Sequence, residues 1–283
     1  MEIKKVGVVG CGAMGAGIAQ VSSQAGFQVI VSEINDTLLK RGLGIIENIL
    51  SKDVSKQKIT QADKDAIQAR IKGTTDMKDF VSCDLIVEAV IENMDLKKKV
   101  FGELDKICPP QTIFATNTSC LSILDIAVAT KRPDKVLGVH FFNPVPVMKL
   151  VELVKTLTTS DETFAAGRKF AEAAGKTVVI TKDTPGFVVN RLMVPQVLNA
   201  VKMLEQGIAT RDDIDNAMKL GLNHPIGPLA LIDLVGVDVI CFIARAVYEE
   251  AKDPQFVIPI TLQKMLTAGW LGRKTGKGFY DYK

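Results

Sequence analysis

The chain is short of the side chains that build metal centres and disulfide frameworks. Its 283 residues hold two histidines, five cysteines and one tryptophan. The cysteines (Cys11, Cys83, Cys108, Cys120 and Cys241) are odd in number and form no C-x-x-C pair. That argues against a disulfide framework and points to a reducing compartment. No His/Cys/Asp group has metal-ligand spacing, so no metal is expected. No apolar run reaches the roughly 18 residues of a membrane span. The net charge is only +3 and the basic residues are scattered, which argues against a nucleic-acid surface. No signal-peptide pattern opens the chain, and no internal repeat or low-complexity segment interrupts it. These absences lead us to expect a cytoplasmic globular protein. Its 47% hydrophobic content is enough for a substantial core.

What is present begins at once. Residues 6–15 read VGVVGCGAMG, a β-branched run passing into G-x-G-x-x-G. In this pattern Gly10 permits a tight turn, Gly12 lets the backbone approach a pyrophosphate, and Gly15 lets helix and strand pack closely. The helix start, Ala13 and Met14, offers free N–H groups to phosphate. Residues 13–25 read as a helix stopped by Gly26, and 27–31 as the next strand. Glu33 follows, eighteen residues after Gly15, where an acid that binds ribose hydroxyls belongs. Strand, turn, helix, strand and acid in order predict dinucleotide binding.

The first two-thirds of the chain alternate strand and helix. Residues 36–71 hold two charged helical stretches meeting around 51–58, in place of an immediate strand. Residues 84–90 (DLIVEAV) form a nearly continuous apolar run, as a parallel strand buried on both faces should. Residues 95–108 read as a helix, and 112–115, 136–140, 150–157 and 177–181 as strands. A doubly wound α/β domain over 1–184 is predicted, with a helical insertion at about 36–71. After Pro185-Gly186 the pattern becomes helical over 187–206, 212–220, 229–251 and 260–268, and Pro195 should kink the first of these. An all-α domain over 185–283 is expected, its aromatic tail (Phe279, Tyr280, Tyr282) docked upon it.

In an open α/β sheet, ligands lie beyond the carboxyl ends of the strands. That rule selects Glu92, Asn117, Ser119, His140 and Asn143. Hydride transfer to a nicotinamide needs a group that takes the alcohol proton, and histidine titrates near neutral pH. His140 ends a strand, and Glu152 on the next strand is placed to hold its imidazole. From the residues alone, His140 fits either a general base or a hydrogen-bonded core residue. His224 reads as a loop residue. Tyr248 and Lys252 make a Y-x-x-x-K pair, but in the helical region and with the wrong glycine turn for short-chain dehydrogenases. Cys120 reads as a small buried side chain.

Taken together, the motifs resemble the 3-hydroxyacyl-CoA dehydrogenase family, end to end. They are Val9-Gly-Cys-Gly-Ala-Met-Gly15, Glu88-Ala-Val-Ile-Glu92, Asn117-Thr-Ser-Cys120, Gly138-Val-His-Phe-Phe-Asn-Pro144, Pro185-Gly-Phe-Val-Val-Asn-Arg191, His224-Pro-Ile-Gly-Pro228 and Gly269-Trp-Leu-Gly-Arg-Lys-Thr-Gly-Lys-Gly-Phe-Tyr280. The resemblance implies a Rossmann-type domain, NAD(H) as cofactor and an acyl-CoA substrate of the 3-hydroxybutyryl-CoA/acetoacetyl-CoA type. It further implies a homodimer formed through the C-terminal domain. His140 becomes the general acid/base and Glu152 its orienting carboxylate. Ser119 and Asn190 become substrate hydrogen-bonding groups. The cofactor set is Gly10, Gly12, Ala13, Met14, Gly15, Glu33, Glu92, Lys97, Asn117 and Asn143. Lys52 and Lys56, in the helical insertion, fall where the family meets CoA. Cys120 departs from the second serine of many relatives, and Glu33 stands where aspartate is common. Two other readings of the glycine turn are less consistent with these residues. A catalytically silent NAD-binding protein need not keep Ser119, His140, Glu152 and Asn190 together. A two-domain β-hydroxyacid dehydrogenase relies on a lysine in its helical unit.

Overall fold

A computed structural model describes residues 2–282. The chain divides into two compact units, 1–184 and 185–283. The first contains β1 (Lys5–Val9), α1 (Ala13–Gln24), β2 (Gln28–Ser32), α2 (Asp36–Ser55), α3 (Gln61–Ala69), β3 (Ile71–Thr74) and β4 (Leu85–Glu88). It continues with α4 (Met94–Ile107), β5 (Ile113–Thr116), α5 (Ile123–Ala127), β6 (Val136–Phe141), β7 (Leu150–Lys155), α6 (Asp161–Ala173) and β8 (Thr177–Lys182). The strands form one sheet in the order β3-β2-β1-β4-β5-β6-β7-β8. Strands β1 to β6 run parallel. Strand β7 returns antiparallel to β6, and β8 pairs parallel with β7. The unit is a Rossmann-type, doubly wound α/β domain.

Local sequence explains these elements. Strands β4, β5 and β6 are buried at every position, because helices cover both faces of a parallel sheet. Asn35, Ser160 and Thr60 cap α2, α6 and α3, the last as a reciprocal box with Asp63. The core joins Val6, Val8, Val31, Leu85, Val87, Leu137 and Val139 of the sheet to Ile18, Ala19 and Phe170 of the helices.

Two expectations need correction in detail. The two helical stretches expected over 36–71 are α2 and α3, which meet at 56–60 and not around 51–58, and they are followed by a strand that the pattern hid. Strand β3 reads Ile-Lys-Gly-Thr, with no clean alternation, because it is a short, half-exposed edge strand.

The second unit contains α7 (Val189–Glu205), α8 (Arg211–Gly221), α9 (Pro228–Val235), α10 (Val237–Ala251) and α11 (Ile260–Thr267). Helix α7 carries Pro195 within it as one element. The single helix expected over 229–251 is two, because Gly236 between them stands at φ +111°. The tail folds onto this unit. Buried Asp233 accepts hydrogen bonds from the Phe279 and Tyr280 amides and the Tyr282 hydroxyl. Asp215 accepts from the Leu229 and Ala230 amides at the start of α9 and from the Tyr280 hydroxyl. No helix among the described residues is long and apolar enough to cross a membrane.

Candidate functional site

The carboxyl ends of β1, β2, β4, β5 and β6 gather the polar side chains of the first unit. His140 on β6 lies directly opposite Glu152 on β7 in the antiparallel register. Its Nδ1 is 2.8 Å from Glu152 Oε2. Glu152 is fully buried and His140 is 6% exposed. The carboxylate therefore engages the ring at Nδ1 and holds its orientation. The bond at Nδ1 directs Nε2 away from Glu152. The Phe142 ring lies 4.5 Å from the imidazole, centroid to centroid.

Beside this pair stands a buried ionic cluster. Lys97 on α4 is 1% exposed, and its ammonium lies 2.7 Å from Glu88 Oε1 and 3.2 Å from Glu92 Oε2. Glu88, at the end of β4, also accepts from the Thr116 hydroxyl and the Val90 amide. Glu92 accepts from the Thr118 hydroxyl and from the Ser119 amide and hydroxyl. Burial works to raise the Glu92 pKa, but the Lys97 ammonium and the Thr118 and Ser119 donors outweigh it and hold the carboxyl below its ordinary range. Asn117 accepts the Phe141 amide on its Oδ1 at 2.8 Å, tying β5 to β6 next to His140.

The glycine turn completes the site. Gly10 takes φ +93°. A Cβ on Gly15 would fall 1.8 Å from the Gly10 carbonyl oxygen, so only glycine fits there. A Cβ on Gly12 would meet nothing within 4 Å, so open space faces the start of α1. Gly12 is the N-cap of that helix and has no side chain to occupy its first amides. Glu33 Oε1 accepts the Cys11 amide at 2.8 Å, which pins the turn to the end of β2. An open helix start with a carboxylate one strand away fits a dinucleotide, with pyrophosphate at the helix and ribose at the acid.

Residues 5–184 match the family model described as 3-hydroxyacyl-CoA dehydrogenase, NAD binding domain, and 186–282 match that family's C-terminal domain. The chain belongs to the 3-hydroxyacyl-CoA dehydrogenase family. It is 46% identical over 99% of its length, and 99% of the relative's, to a 3-hydroxybutyryl-CoA dehydrogenase of Mycobacterium tuberculosis. It is 45% identical to the human mitochondrial hydroxyacyl-coenzyme A dehydrogenase, over 99% of this chain and 92% of that one. The crystal structure of (S)-3-hydroxybutyryl-CoA dehydrogenase PaaH1 from Ralstonia eutropha superposes with TM-score 0.97 at 44% identity, covering 100% of both chains. As a member of this family the chain is an oxidoreductase, and its cofactor is NAD(H).

Asn143 is exposed, just beyond β6, and is joined to Pro144 by a cis peptide. Lys52 lies in the last turn of α2 and Lys56 caps it, both exposed. Asn190 is buried in the first turn of α7, in the second unit. Cys120 is buried, and burial pushes its thiol up to about 12, so it is held as a thiol and not a nucleophile. Lys252 is the left-handed cap of α10, its ammonium 5.8 Å over the Tyr248 ring. Sequence reading missed Glu88, Thr116 and Thr118. One signal was available for Glu88: it is the only charge inside the apolar strand of β4.

Proposed function

We propose that this chain is an NAD-dependent (S)-3-hydroxyacyl-CoA dehydrogenase for short acyl chains, interconverting 3-hydroxybutyryl-CoA and acetoacetyl-CoA. The observation that carries this reading is the buried His140–Glu152 pair beside the Rossmann crevice. NAD(H), held by Gly10, Gly12, Ala13, Met14, Gly15 and Glu33, supplies the hydride acceptor or donor. His140 Nε2 takes the C3 hydroxyl proton during oxidation and returns it during reduction, while Glu152 holds the imidazole and balances its charge. Ser119 binds the C3 oxygen, oriented by Glu92, which Lys97 in turn holds in place. Asn117 and Asn143 line the nicotinamide side. Asn190 of the second unit is assigned to substrate on the resemblance alone. Lys52 and Lys56 meet the phosphates of CoA; they are exposed and close in sequence, and the anionic handle supplies binding energy remote from the reacting carbon. Glu33 disfavours a 2′-phosphate, and so NADP(H), by like charge.

The domain roles follow the same reading. Residues 1–184 bind the dinucleotide, and 185–283 serve substrate binding and homodimerisation. Exposed apolar side chains on the second unit, among them Leu192, Leu220, Leu222 and Leu234, support a second copy as their cover. Five buried, unpaired thiols favour the cytoplasm.

The deciding experiment follows NADH oxidation by acetoacetyl-CoA in wild type and H140Q at low and high salt. H140Q should lower kcat by about 10²–10⁴-fold while leaving NADH affinity, read by fluorescence, unchanged. KM for acetoacetyl-CoA should rise with salt as the lysine–phosphate contacts are screened. A near-normal kcat in H140Q would overturn the assignment.

A further inference from the structure

The chain turns between β6 and β7 through 142–149, and this turn touches both halves of the site. At its start, Phe142 lies against the His140 imidazole and Asn143 follows. In its middle, Val145 is buried against α1: a Cβ added to Gly17 would stand 2.7 Å from Val145 Cβ. The turn is therefore wedged against the helix whose first residues form the dinucleotide cradle.

Its other side is held by one lysine. Lys176, the residue before β8, is 8% exposed. Its Nζ donates to the Val145 carbonyl at 2.6 Å and to the Met148 carbonyl at 2.9 Å. The next amide, Thr177, donates to the Lys149 carbonyl at 2.7 Å. Burial pushes the Lys176 pKa down, and no carboxylate among the described residues opposes that shift. An ammonium taken out of water without a counter-charge is unfavourable, and an apolar side chain would fill the same volume without that loss. What an apolar side chain would not do is tie two carbonyls of one turn to a single point. Charge-assisted donors make such ties strong and directional.

We propose that Lys176 is a positioning residue for hydride transfer: its ammonium locks the 142–149 turn, and through the turn it sets Phe142 against His140 and aims Asn143. The inference rests on the dehydrogenase reading above. The Lys176 ammonium bonds to carbonyls of the turn, so its effect passes through the loop. Small misplacements at a reacting centre are enough to slow a reaction substantially.

The test is K176M, studied by steady-state kinetics with NADH and acetoacetyl-CoA and by amide hydrogen exchange. The expected result is a kcat about 10–100-fold lower with KM for acetoacetyl-CoA within about twofold of wild type. Exchange should quicken in 142–149 while β6 and β7 stay protected. Near-wild-type kcat would overturn the proposal. So would a loss of kcat accompanied by faster exchange throughout the sheet, which would mark a general loss of stability. If K176M does not fold, K176Q is judged by the same two criteria. A wild-type enzyme inert toward acetoacetyl-CoA would sink the dehydrogenase reading instead, and the exchange signature would still decide whether the lysine locks the turn.

Discussion

Burial alone would drive Glu92 toward its neutral form, and the Lys97 ammonium with three donors from Thr118 and Ser119 reverses that tendency. A carboxyl held below its unfolded value adds stability that is fully present above about pH 4.3, the ordinary glutamate value. That stability is lost as pH falls through the lower folded value. E92Q keeps the shape, leaves Lys97 paired with Glu88, and removes the titration. Melting temperature should therefore fall less steeply between about pH 5 and pH 3 in E92Q than in wild type. Parallel melting curves would show that Glu92 titrates alike in both states. Glu92, Glu33 and Ser119 were legible because motif position marks them. The commitment of Lys97 to Glu88 and Glu92 was legible in a different way, and was missed. Lys97, Val100, Phe101 and Leu104 are the buried face of α4, so helical spacing distinguishes Lys97 from its neighbours Lys98 and Lys99.

At the scale of elements, the glycine turn separates binding from folding. A Cβ at Gly12 meets open space, whereas one at Gly15 collides with the Gly10 carbonyl. G12A should fold with a melting temperature within a few degrees of wild type and lose NADH affinity. G15A should force β1 and α1 apart and lower the melting temperature markedly, because two main-chain segments would have to move. Fluorescence titration and thermal melts on both variants check this, and equal melting losses would contradict it. Helix α1 was readable from the glycine turn before it and Gly26 after it, and β4 and β6 from their nearly continuous buried apolar runs. Strand β3 was not, because an edge strand with three half-exposed residues and an exposed Lys72 has no buried face to print a pattern. The division between α9 and α10 was not read either, although Gly236 sits within the stretch, since an isolated glycine is tolerated in many helices.

At the scale of the molecule, the second unit is closed by its own tail. Asp233 receives two amides and a hydroxyl from the tail, and a Cβ at Gly278 would lie 1.9 Å from its Oδ1. Arg211 adds a guanidinium 4.1 Å over the Tyr280 ring. D233A would leave those donors without their acceptor, each at a loss of about 1–3 kcal/mol if it stays buried. We expect D233A to lower stability by about 2 kcal/mol or more and to make the tail a site of early proteolysis. Limited digestion followed by mass spectrometry reads this directly. A tail as resistant as in wild type would show that the aromatics alone hold it.

The hairpin of β6 and β7 has a consequence for assembly. His140 and Glu152 are 12 residues apart in the chain, whereas Ser119 and Glu92 are 27 apart. Closing the longer loop costs about 0.7 kcal/mol more in chain entropy, and it also requires α4 and β5 to be in place. The His140–Glu152 pair is thus a product of local chain geometry, while the Glu92 support of Ser119 needs more of the sheet in place. A folding chain can register His140 against Glu152 before the surrounding strands have found their order.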